Sequence, residues 1–206
     1  MTWLLGVRVH MTGFLPNPGS LLVANHTSWL DILILGGKVG SAFVSKDTLG
    51  HGFIHWLADQ NATVYVKRGH RRGAKDQAGA IARALQGHQP VTVFPEGTTG
   101  PGTRLLPFRS TLLEAANLAG LRTQVRPIAI DYGKARAEVG WFDEEPGRDN
   151  VIRILNRPGK LRVTLHLLGP LDGSMDRKQL TAQAADAIAA TLGFKSPAQS
   201  SMSVGE

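Results

Sequence analysis

The stretch Ser20-Leu21-Leu22-Val23-Ala24-Asn25-His26-Thr27-Ser28-Trp29-Leu30-Asp31 runs from an apolar segment through a polar break into a second apolar segment. Ser20 to Ala24 does not alternate with polar residues, so it reads as a strand buried on both faces. Asn25 to Ser28 is the break, and Trp29 to Leu35 reads as a helix ended by Gly36-Gly37. A doubly buried strand feeding a helix is a building unit of sheets with helices on both faces. In such sheets ligands bind beyond the carboxyl ends of the strands, which puts Asn25 to Asp31 at a candidate site.

Outward from this stretch the same grammar repeats. Val7 to Thr12 alternates as a short strand, and Pro16-Asn17-Pro18-Gly19 turns the chain back. Strands are expected at Ala42 to Val44, Ala62 to Val66, Val91 to Phe94, Gln124 to Ile130 and Leu161 to Leu167. Helices are expected at Phe53 to Leu57, Ala74 to Leu85, Thr111 to Leu118 and Leu180 to Leu192, with Val139 to Pro158 partly helical. Gly100 to Pro107 reads as loop. Strands and helices thus alternate, which predicts an α/β fold: one domain with a mixed, mostly parallel sheet flanked by helices. The domain is expected over residues 1–194, with 195–206 a disordered tail.

Composition narrows the function. The 206-residue chain has no cysteine, which excludes thiolate nucleophiles, disulfides and Cys-based zinc sites; no metal site is expected. A net charge of +7 attracts anions: nucleic acid, anionic lipid headgroups or a phosphorylated substrate. Aromatic residues at 6% argue against a base-stacking surface. Met1 to Pro16 lacks the pattern of a secretory signal, and no run reaches the roughly 18 apolar residues of a membrane-spanning helix. Work on membranes is therefore expected from the surface.

His26 and Asp31 are five positions apart, about 500° around a continuous helix, so two mid-helix residues could not meet. With Ser28 as N-cap, Asp31 falls at the third helical position, where side chains tilt back toward the N-terminus. The carboxylate then reaches one imidazole nitrogen of His26 and leaves the other free as a base. Ser28-x-x-Asp31 equally fits a capping box, which would make Asp31 a cap and His26 an exposed turn residue.

Asn25-His26-Thr27-Ser28-Trp29-Leu30-Asp31 resembles the His-x4-Asp signature of the glycerolipid acyltransferase family, whose members include acyltransferases of lysophosphatidic acid. Further resemblances follow in the family's order. Val64-Tyr65-Val66-Lys67-Arg68-Gly69 resembles the second motif, implying that Arg68 grips the acceptor near its phosphate, as a guanidinium can do bidentately. Phe94-Pro95-Glu96-Gly97-Thr98 resembles the third, seventy positions beyond His26, with Glu96 accepting from an acceptor hydroxyl or orienting Arg68. Val125-Arg126-Pro127-Ile128 resembles the fourth; on its own it would also suit an edge strand, where proline is tolerated. Lys46 and Phe108-Arg109 resemble further basic elements at the substrate site. The pattern departs from the family at Thr99-Gly100, where many members carry arginine and serine, and at Ser110, which stands for a glycine.

The resemblance, spanning about Val7 to Pro170, implies a glycerol-3-phosphate acyltransferase-like fold. It implies transfer of an acyl chain from a thioester, on CoA or acyl carrier protein as co-substrate and with no cofactor, to the free hydroxyl of a lysophospholipid. The catalytic pair would be His26 and Asp31, with Lys46, Arg68, Glu96, Gly97, Thr98 and Arg109 binding substrate. The implied acceptor is 1-acyl-sn-glycerol-3-phosphate, with a lyso-ornithine lipid as its rival because of the departures. The expected location is cytoplasmic, at the inner face of the membrane, with no nucleic-acid partner. Trp3, Leu4, Leu5, Phe53 and Trp56 would touch the bilayer, with Trp3 and Trp56 equally suited to the core. A nucleic-acid-binding domain and a catalytically silent lipid-binding protein are the alternatives of other classes.

Overall fold

A computed structural model of the chain describes residues 6–46, 64–66, 70–120, 123–142 and 145–195. Seven strands in these residues form one sheet: β1 (Val7–Gly13), β2 (Leu21–Ala24), β3 (Ala42–Lys46), β4 (Val64–Val66), β5 (Val91–Val93), β6 (Val125–Asp131) and β7 (Leu161–Leu167), in the spatial order β1-β7-β6-β2-β5-β3-β4. β2 pairs in parallel with β5 on one side and β6 on the other; β7 is antiparallel to β6 and parallel to β1. The mixed, mostly parallel α/β sheet expected from the alternation is the sheet found.

The period of two along each strand assigns the two cores. Leu22 and Ala24 of β2 face one side, with Trp29 and, from helix α1 (Leu30–Val39), Leu33, Ile34 and Leu35. Leu21 and Val23 face the other, with Ala78, Ile81, Leu113 and Leu180 from α2 (His70–Ala84), the turn before α3 (Glu114–Ala119), and α6 (Arg177–Leu192). The short α4 (Arg136–Val139) and α5 (Gly147–Leu155) complete the first layer through Val139 and Ile154. β2 is covered on both faces, which is why its sequence is continuously apolar.

Several boundaries depart from the sequence reading. α1 runs through Gly36-Gly37 to Val39 and stops at Gly40, whose φ of 68° makes it the left-handed cap. Burial of Leu33, Ile34 and Leu35 offsets the glycine pair, each glycine costing about 1 kcal/mol against alanine. α1 starts one residue later than the Ser28 cap requires: Trp29 is the N-cap, and the Ser28 hydroxyl accepts only a long bond from Leu30 N–H, 3.3 Å. β6 is interior, so the edge-strand reading of Pro127 does not hold. Pro127 is accommodated at the end of the β7 pairing, where its carbonyl accepts from Leu168 N–H and the antiparallel register begins only at Ile128. The expected Phe53–Leu57 helix and nearly all of the C-terminal tail lie outside the described residues, as do Trp3, Leu4, Leu5 and Trp56.

β5 precedes β6 in the chain but lies across β2 from it, so the connections part at the β5–β2–β6 carboxyl ends. This is the kind of switch point where open α/β sheets bind ligands. Asn25 extends the sheet there: its buried amide donates to Ile130 C=O and accepts from Ile130 N–H, continuing the β2–β6 ladder by side chain. That pairing fixes where the next residue, His26, leaves the sheet.

Candidate active site

His26 follows β2, and its Nδ1 lies 2.9 Å from Asp31 Oδ2. The same oxygen accepts from Thr27 N–H at 2.7 Å and Ser28 N–H at 2.9 Å. A carboxylate oxygen already taking two main-chain N–H groups can only accept from the ring, which assigns the proton to Nδ1 and the lone pair to Nε2. Asp31 is therefore the orienting carboxylate, at the second helical position rather than the third; it braces the two amides ahead of the N-cap Trp29 and does not cap the helix. The imidazole is 15% exposed and Asp31 is fully buried. Phe94 holds the ring from one side, stacked at 4.0 Å and 16°, and Phe94 itself stacks on Phe43 at 6.1 Å. A packed ring whose one free nitrogen bears a lone pair is suited to taking a proton from a hydroxyl.

Glu96, from the turn after β5, closes the site from below. Its Oε1 accepts from His26 N–H at 2.7 Å and its Oε2 from Leu106 N–H at 2.9 Å. It thus clamps the histidine turn to the 100–107 loop, which also bonds His26 C=O through Gly100 N–H. Gly102 lets this loop pass: its φ is 75°, and a Cβ there would stand 2.3 Å from Arg136 C=O.

Burial lifts the Glu96 carboxyl from 4.5 to about 7, against the two main-chain N–H groups that pull it down. Since the folded value exceeds the unfolded one, the folded state holds the extra proton between them. The stability this group contributes is full below 4.5 and is lost as pH rises through about 7. The shift corresponds to about 3 kcal/mol. Unfolding by urea across that window should therefore show wild type losing about 3 kcal/mol relative to Glu96→Gln as pH rises. Parallel pH profiles for the two proteins would mean that Glu96 does not titrate there.

Of the residues expected at the site, the structure brings together His26, Asp31, Glu96, Gly97 and Arg109. Gly97 has a φ of 75°, and the Arg109 guanidinium lies over it, 3.6 Å from where a Cβ would be. Thr98 is exposed beside them. Lys46 ends β3, the second strand from β2, and Arg68 lies outside the described residues. Four main-chain N–H groups around the site are bonded within the chain: Gly97 donates to Phe94 C=O, His26 to Glu96, and Thr27 and Ser28 to Asp31. Three functional neighbours escaped the sequence reading. Asn25 stood inside the quoted signature, and Phe94 opened the third motif, so position marked both without naming their contacts. Tyr132, whose hydroxyl bonds Asp31, had no such signal.

Fold and site together define an α/β class with a histidine held by a buried carboxylate beyond the end of a central strand. The sequence profile of the family described as Acyltransferase matches residues 6–131. A lyso-ornithine lipid O-acyltransferase from Rhodobacter capsulatus is 34% identical over 204 residues, covering 94% of this chain and 73% of that protein. A 1-acyl-sn-glycerol-3-phosphate acyltransferase from Neisseria gonorrhoeae is 36% identical over 133 residues, 62% of this chain and 51% of that protein. The crystal structure of a 1-acyl-sn-glycerophosphate acyltransferase from Thermotoga maritima shares the fold, with a TM-score of 0.66 at 23% identity over 93% of this chain and 73% of that one. The chain belongs to the acyltransferase family, and it is an acyltransferase.

Proposed function

We propose that the protein transfers an acyl chain from an acyl thioester, on CoA or acyl carrier protein, to the free hydroxyl of a lysolipid, with His26 as general base. The His26 Nδ1–Asp31 Oδ2 bond is the observation that carries this reading, because it leaves Nε2 as the proton acceptor. The hydroxyl oxygen attacks the thioester carbonyl as its proton passes to Nε2. Asp31 stabilises the imidazolium. The tetrahedral adduct collapses, the carbon–sulfur bond breaks, and the departing thiolate takes the proton back from Nε2. No covalent acyl-enzyme forms, in keeping with the absence of cysteine. General-base catalysis of this kind contributes roughly 10²–10⁴-fold.

For the acceptor, a lyso-ornithine lipid is the leading reading. The lyso-ornithine lipid acyltransferase matches nearly the whole chain, whereas the glycerophosphate acyltransferase match covers 62% of it. Thr99-Gly100, in place of the arginine and serine many members carry, removes a cation that would pair with a phosphate. 1-Acyl-sn-glycerol-3-phosphate is the second reading, favoured by the ordered motifs. Arg68, Lys46, Arg109 and Thr98 would meet the acceptor's polar groups. The acceptor resides in a bilayer, and no helix of the described residues is long and apolar enough to cross one. Together with the +7 charge this supports work from an anionic membrane surface.

The test is a competition assay: one acyl donor, equal amounts of the two lysolipids in mixed micelles, and products read by lipid mass spectrometry. The expected result is at least about tenfold greater kcat/KM for the lyso-ornithine lipid, equivalent to about 1.4 kcal/mol. A reversed preference would return the acceptor to lysophosphatidic acid, and equal preference would overturn the discrimination between them. Acylation of neither would remove both readings.

A further inference from the structure

We propose that Tyr132, at the end of β6, is a positioning residue for the catalytic pair, acting on His26 through Asp31. Its hydroxyl donates to Asp31 Oδ1 at 2.5 Å, across 101 positions of sequence. The two carboxylate oxygens are thereby divided. Oδ1 faces Tyr132, and Oδ2 faces His26 Nδ1 and the Thr27 and Ser28 amides. The carboxylate is held from two sides of the sheet end, so it cannot swivel away from the imidazole. Tyr132 is itself 2% exposed and packed in the core beneath α1, among Trp29, Leu33 and Ile130. Burial and the neighbouring Asp31 raise its phenol well above its ordinary value, so it stays a donor at any working pH. Asn25, bonded to Ile130 two residues earlier on β6, keeps Tyr132 in register with the β2 turn.

A donor on Oδ1 also draws charge away from Oδ2. Removing it concentrates negative charge beside His26 and favours the imidazolium. Freed of that bond the carboxylate can also swivel away from the imidazole, so Tyr132→Phe is expected to lower kcat about tenfold, in the range for one lost bond to a charged group, with KM for both substrates unchanged. It is also expected to move the acid limb of the kcat/KM profile to higher pH, and because the raised Glu96 carboxyl bonded to His26 N–H titrates in the same range, the shift is read in paired Glu96 and Glu96→Gln proteins. A purely structural role would lower the melting temperature without moving that limb, and this result, or wild-type kcat and pH profile, would overturn the proposal.

If Tyr132→Phe does not fold, 3,5-difluorotyrosine incorporated in a Tyr65→Phe background provides the second test, since the chain has only two tyrosines. The more acidic phenol donates more strongly, so the acid limb should move to lower pH. An unmoved limb would overturn the proposal. The inference rests on His26 being the base. His26→Ala with wild-type activity would sink that reading itself, whereas an inactive His26→Ala beside an unaltered Tyr132→Phe would sink only the tyrosine's role.

Discussion

Replacing His26 by alanine should lower kcat for lysolipid acylation by roughly 10²–10⁴-fold, the contribution of a positioned general base. The fold should survive. The imidazole's own contacts are the stack on Phe94 and one bond to Asp31. The main-chain bonds from His26 N–H to Glu96 and from Gly100 N–H to His26 C=O do not depend on the side chain. Asp31 keeps three donors, from Thr27, Ser28 and Tyr132. The stability loss expected from the stack and the bond is about 1–3 kcal/mol. Initial rates of product formation, with thermal melting of the same preparations, separate the two effects. An inactive protein that has also unfolded would say nothing of catalysis; an inactive, folded one is the expected outcome.

Asp31→Asn should have the second largest effect, and for a different reason. The amide can turn so that its oxygen replaces Oδ2, accepting from His26, Thr27 and Ser28, while its NH2 replaces Oδ1. There the Tyr132 hydroxyl, which can also accept, rotates to receive it. The bonding pattern is thus nearly preserved, and the stability loss should be only about 1–2 kcal/mol. What disappears is the charge that stabilises the imidazolium. The expected loss in kcat is roughly 10²-fold or more, with KM little changed. A loss of only a few-fold would show that Asp31 braces the turn before α1 and does no more.

The contrast between these residues and Tyr132 shows which parts of the site a sequence displays. The sheet was legible because each strand's own residues report its burial: Leu21-Leu22-Val23-Ala24 is apolar throughout and lies between β5 and β6, while Leu161 to Leu167 alternates and is covered on one face. His26 and Asp31 were legible because they sit close along the chain and the turn between them is local. The end of α1 was misread because a glycine pair is a weak stop where tertiary burial favours continuing, and the true stop is Gly40 with its positive φ. Pro127 looked like an edge residue because a lone strand does not reveal which side of it goes unpaired. Tyr132 and Phe94 touch Asp31 and His26 only after β6 and β5 have taken places on either side of β2. No local period encodes that arrangement. Glu96 was visible as a residue but not as a clamp, since its partner Leu106 lies in a loop with no pattern of its own.

The most direct measurement is a rapid-quench single turnover, with enzyme in excess over a radiolabelled acyl thioester and a lysolipid acceptor. The label should pass from thioester to lipid without appearing on protein at any time, and the rate should collapse in His26→Ala. Label accumulating on the protein before the lipid, or an equal rate in His26→Ala, would contradict direct transfer by a histidine base.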